Sequence, residues 1–110
     1  MRLWLVEPKI MCRQHLLGEH NECHAFVGTI NKGTRIYGYI QKGLLQHELL
    51  HSRHDELVNE MLSRGYKHLS PLPKITKEIT VHGFINRDKS LNELLYRCPE
   101  CRQNSLIYGI

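Results

Sequence analysis

No apolar run in the 110-residue sequence approaches the ~20 residues that a membrane-spanning helix needs, which excludes a helical integral membrane protein. Nothing at its start resembles a secretory leader, and none is expected. Residues 1–6 are apolar, but Glu7-Pro8-Lys9 interrupts them before a usable hydrophobic region forms. There is no internal repeat and no low-complexity tract. Acidic residues are in deficit: 11 Asp plus Glu stand against 15 Lys plus Arg, for a formal charge of +4 with eight His besides. That balance favours an anionic partner such as nucleic acid without requiring one. The length argues for one domain with one modest core. With neither leader nor membrane span, the expected location is intracellular. There the four Cys are expected as thiols or metal ligands rather than disulfides.

What the chain does have is helical periodicity. Pro8 suits a first helical turn, and residues 10–27 repeat their apolar positions at helical spacing, with Leu16, Cys23 and Val27 on one side. Residues 28–43 are rich in Gly and read as a loop, with a short extended piece at 35–40. The clearest helix is predicted over 43–64, where Leu45, Leu49, Leu50, Leu57, Val58, Met61 and Leu62 form a broad stripe and Gly65 caps the end. Ser70-Pro71-Leu72-Pro73 predicts a rigid connector. Residues 75–85 fit a short strand or a weak helix equally. Ser90 and Glu93 have capping-box spacing for a helix that ends before Cys98-Pro99. The expectation is a mainly α, single-domain helical bundle. Its core is residues 1–73, and residues 74–110 are a C-terminal extension packed on it, with a short irregular or zinc-stapled tail.

Two stretches resemble a known family. One is Met1-Arg2-Leu3-Trp4 followed by Arg13-Gln14-His15-Leu16-Leu17-Gly18-Glu19-His20-Asn21-Glu22-Cys23; the other is residues 57–66, LVNEMLSRGY. Together they resemble the pyrimidine dimer DNA glycosylases, small all-helical repair enzymes of some phages, algal viruses and bacteria. The resemblance covers roughly residues 1–68. It implies that the chain's terminal α-amine attacks C1′ of a damaged nucleotide. The base leaves, a Schiff base forms and β-elimination cuts the strand. It also implies a Glu beside the amine, which here is Glu22. Seven residues separate His15 from Glu22, two helical turns, so both lie on one face.

The chemistry is reasonable on its own terms. An α-amine titrates near ~7.7–8.0, well below Lys, so a useful fraction is neutral at pH 7. A neighbouring carboxylate stabilises the developing cation and carries protons. Methionine is not normally removed before Arg, so the nucleophile is expected to be the amine of retained Met1. No cofactor is needed for this reaction. The expected partner is double-stranded DNA with a damaged or modified base, bound by a monomer through Arg2, Arg13, Gln14, His15, Asn21 and Arg53. Arg53, Arg64 and Lys67 with nearby His make a candidate phosphate-facing surface. The sequence departs from the family at Met1, where members carry Thr, and at Asn21 and Ala25, where they carry Arg. Two other readings stay open: a nucleic-acid-binding module that keeps the fold without catalysis, and a zinc-stapled interaction domain.

Cys98-Pro99-Glu100-Cys101 has the spacing of a zinc half-site. Cys12 and Cys23 cannot complete it jointly, because eleven helical residues separate them by about 16 Å. Cys23 with His20, one turn apart, is the expected complement, and His20 with His24 is a second feasible pair. His47, His51 and His54 recur at helical spacing and read as a polar face.

Overall fold

The computed structural model describes residues 1–68 and 70–110. Five α-helices, two 3-10 turns and no strand occur among them, in the order 3-10 turn Pro8–Ile10, α1 (Arg13–Asn31), α2 (Tyr37–Gln41), 3-10 turn His47–Leu49, α3 (Leu50–Ser63), α4 (Arg87–Arg97) and α5 (Pro99–Tyr108). The mainly α expectation therefore holds.

Each helix starts or stops for a local reason. The Cys12 sulfur caps α1 by accepting from the His15 N–H. Buried positions Leu16, Glu19, His20, Cys23, Phe26, Val27 and Ile30 then recur every three or four residues along the helix. Helix α3 meets α1 through Leu50, Arg53, His54, Leu57 and Met61. It ends at Gly65, whose φ of +83° lets the Tyr66 N–H turn back onto the Met61 carbonyl at 2.9 Å. Pro99 opens α5 just after Cys98, whose sulfur caps it.

Several local expectations are corrected. Residues 35–40 are not extended, because the turn at 37–41 is helical. The long helix begins at Leu50 rather than 43: Gly43 sits at φ +70° and a 3-10 turn intervenes. Leu62 leaves the predicted stripe and is exposed. Asn86, not Ser90, caps α4 by accepting from the Lys89 N–H at 3.1 Å. Ser90 is buried inside that helix instead. Residues 75–85 are neither strand nor helix. They run across the molecule as a strap, held where Asn31 Oδ1 accepts from the Thr76 N–H at 2.7 Å and Gln46 Oε1 from the Ile85 N–H at 3.2 Å.

Residues 3–6 are the centre of the fold. Leu3, Trp4, Leu5 and Val6 are all buried, and the Leu3 N–H donates to the Leu44 carbonyl at 2.9 Å. Leu5 takes φ +53°, a left-handed conformation that costs a non-glycine residue roughly 1–2 kcal/mol. A fully buried ion pair holds that kink. Arg53 Nε donates to Glu19 Oε2 at 2.7 Å, its Nη2 to Glu19 Oε1 at 3.0 Å, and its Nη1 to the Val6 carbonyl at 2.8 Å. Arg64 fixes the next stretch by donating to the carbonyls of Pro8 and Met11 at 3.0 and 2.7 Å. On the other side the Ser90 hydroxyl donates to the Trp4 carbonyl, and the Asn104 amide to that of Ile10 at 3.1 Å. Helices α1 and α3 thus grip the segment from one side, and α4 and α5 from the other. Residues 1 and 2 are left at the surface.

Candidate active site

An open cleft of about 510 Å³ surrounds the amino terminus, lined by Met1, Arg2, Trp4, His15, Glu22, Lys42, Leu44, Glu93 and Arg97. Met1 lines this cleft and is 41% exposed as a residue. Glu22 reaches the cleft from α1. Burial pushes its carboxyl above the ordinary range, while the Arg2 backbone N–H and the charge of the amino terminus pull it back. The terminal amine and the Glu22 carboxylate are therefore close enough to interact electrostatically inside one half-buried cleft.

Arg2 is held rather than free. Its Nη1 pairs with Glu93 Oε2 at 2.7 Å, its Nη2 donates to the Ser90 hydroxyl at 3.1 Å, and its guanidinium lies 3.8 Å from the centre of the Trp4 ring. Glu93 is drawn below the usual carboxylate range by that hydrogen bond. The cations at the cleft with exposed side chains are Lys42 and Arg97, neither of them singled out by sequence motifs. Only the folded chain brings residues 42 and 97 to residue 1.

The other sequence-predicted DNA contacts divide. Arg13, Gln14 and Asn21 are exposed on α1 outside the cleft lining, with the Arg13 guanidinium 4.6 Å from the centre of the Tyr66 ring. Arg53 is overturned as a phosphate ligand. It is 1% exposed and its guanidinium is occupied by Glu19 and Val6. Arg64 is likewise committed to backbone carbonyls and Glu60. The polar face expected of His47, His51 and His54 is also corrected, because His54 is buried. His51 instead interacts with the Pro73 carbonyl at 2.9 Å.

Behind the cleft, Cys98 and Cys101 meet Cys12 and His15, with all four ligand atoms within 4.8 Å of one another. His15 Nδ1 lies 3.1 Å from Cys12 Sγ and 3.8 Å from Cys101 Sγ, and Cys98 Sγ lies 3.9 Å from Cys12 Sγ. Tetrahedral zinc with ~2.3 Å bonds to sulfur separates two sulfurs by about 3.8 Å, so this Cys3His group could hold a metal ion. The expected complement of Cys23 and His20 is thus replaced by Cys12 and His15. Cys23 lies in the core, where burial pushes its thiol up to about 12, and His20 belongs to a separate group. The motif that signals the set is Cys12-x-x-His15, which closes on Cys98-x-x-Cys101 only once α5 packs beside the 3-10 turn at 8–10. His15 also faces the cleft, its ring edge-on to Trp4 with centroids 5.8 Å apart.

The pyrimidine dimer DNA glycosylase model matches residues 1–74. The chain belongs to that family. Its matched part holds Met1, His15, Glu22 and Lys42, and α4 and α5 lie beyond it. Family membership makes DNA glycosylase chemistry the function class and DNA the substrate class. No curated protein and no solved structure matches the chain. Among the described residues no helix is long and apolar enough to cross a membrane.

Proposed function

We propose that the chain removes a damaged or modified base from double-stranded DNA and then cuts the strand at the resulting abasic site, with the α-amine of Met1 as nucleophile. The neutral amine attacks C1′. The glycosidic bond breaks and its electron pair leaves with the base, which takes up a proton. Opening of the sugar ring gives a protonated imine between the amine and C1′. Loss of a C2′ proton then expels the 3′ phosphate, and hydrolysis returns the free amine. Glu22 stabilises the cationic imine and shuttles protons at C2′ and the ring oxygen. The target nucleotide or its partner leaves the stack to reach the cleft.

The observation that carries this reading is the shared cleft: an accessible amino terminus and a half-buried carboxylate, inside a chain of this family. Asn21 and Ala25 replace family arginines, and Lys42 and Arg97 supply cations at the cleft instead, where they fit phosphates flanking the target. The Cys3His group fits zinc by donor set and spacing. Zinc there is structural, tying α5 to the start of α1 and fixing His15 beside Trp4.

Lys42 lines the same cleft and offers a rival amine, so the test must separate the two. Borohydride reduces the imine and traps enzyme on DNA. Native protein and Lys42→Gln should trap on abasic DNA, and protein with an acetylated amino terminus should not. Glu22→Gln should trap about 10²–10⁴-fold more slowly, the usual loss for a removed acid–base group. Trapping by the blocked protein at the native rate would overturn the assignment of Met1.

A further inference from the structure

His20, His24, His54 and His68 come together on the side of α1 that faces α3. His20 and His24 are one turn apart on α1, His54 comes from α3, and His68 follows the end of that helix. Their ligand nitrogens lie within 4.8 Å of one another. All four Nε2 atoms are shielded from solvent, and none has a hydrogen-bond partner among the described residues. His20 and His54 are 7% and 4% exposed. Four buried, unpartnered imidazole nitrogens packed together are costly unless something accepts their lone pairs.

The spacing says what that something is. Five of the six ring pairs have centroids between 4.8 and 5.1 Å apart. A cation bound by four Nε2 atoms at ~2.05 Å lies roughly 3.2 Å from each ring centre, so tetrahedral geometry sets the rings about 5.2 Å apart. A square plane gives only four close pairs, at about 4.5 Å, and two at about 6.4 Å. The five observed separations fit the tetrahedron and not the square. Four imidazolium rings at these separations would repel one another, so the cluster is not a packed set of cations. Asp55 Oδ1 stands 3.7 Å from His54 Nδ1, where its charge offsets part of the ion's.

We propose that these four histidines form a second metal site, a closed nitrogen-only tetrahedral centre for zinc or a cation of similar preference. With four protein ligands it is structural rather than catalytic. It clamps α1 to α3 and ties down the chain that leaves α3. It is independent of the sulfur site and of the glycosylase reading.

The test uses the full chain without a histidine tag, loaded with zinc, dialysed and analysed for metal by mass spectrometry. Native protein should hold roughly two equivalents, His24→Gln/His68→Gln roughly one, and Cys98→Ser/Cys101→Ser roughly one. With cobalt in place of zinc, the cysteine variant should keep the intense visible bands of a tetrahedral ion without thiolate charge transfer. The histidine variant should keep the charge transfer. X-ray absorption at the zinc edge of native protein needs no variant: nitrogen neighbours should outnumber sulfur. A single equivalent in native protein with three sulfurs per zinc would mean that water fills the histidine cluster, and the proposal fails. It also fails if the histidine variant keeps the native metal content.

Discussion

Glu19 and Arg53 show at the scale of single residues how the site depends on the core. Both side chains are essentially sealed from solvent, and together they hold Val6 and the strained backbone of Leu5. Arg53→Ala leaves a carboxylate buried without its partner, so stability should fall by about 3–5 kcal/mol. Glu19→Leu/Arg53→Met should recover much of that loss, as read from urea unfolding midpoints. Neither change should alter the salt dependence of DNA binding, because Arg53 cannot reach a phosphate. A slope smaller by about one would return Arg53 to the DNA surface. The sequence does not distinguish a buried arginine from a phosphate-binding one, since residue type and helical position are the same. The distinction comes from Glu19, 34 positions away, whose role depends on how α1 and α3 cross. The place of Glu22 at the cleft was legible for the opposite reason: the pattern at the start of the chain marks it, and it lies on the same helix as His15.

Helices α1 and α3 were readable because burial repeats along them and Gly65 marks a stop. Helix α5 was not, since Cys101 and Ser105 are its only buried residues and leave no apolar stripe to detect. The strap at 75–85 gave an ambiguous pattern because it packs side chains singly against helices instead of forming an element of its own. One of its residues is nevertheless tightly constrained. A Cβ on Gly83 would lie 2.2 Å from the Leu45 carbonyl oxygen, so Gly83→Ala must displace backbone. The expected cost is about 1–3 kcal/mol, read as a lower thermal midpoint. The Cys3His group makes a matching prediction for α4 and α5. Cys98→Ser/Cys101→Ser, or a strong chelator, should lower the melting temperature and expose residues 87–110 to limited proteolysis before the rest. Unchanged cleavage would show that hydrogen bonds such as Asn104 to Ile10 hold these helices without metal.

At the scale of the whole molecule, the chain is a flat body of 41 × 31 × 16 Å with its amino terminus opening into a cleft between α1 and α4. Its formal charge of +4 supports DNA binding only where cations are free. Arg2, Arg53 and Arg64 are engaged internally, whereas Lys42, Arg97 and Arg13 are exposed. If three or four phosphates are contacted, log K should fall with log salt at a slope of roughly −3, and Lys42→Gln/Arg97→Gln should flatten it by about two. A native slope near zero would remove DNA as the partner. Family membership was legible from two short stretches, but the cations at the cleft were not, because they are 40 and 95 residues from Arg2 in sequence. The central claim is that the first residue does the chemistry. The most direct measurement is to trap native enzyme on abasic DNA with borohydride, digest it, and find the modified peptide by mass spectrometry. The sugar remnant should lie on the α-nitrogen of Met1. A remnant on Lys42 or any other lysine would contradict it.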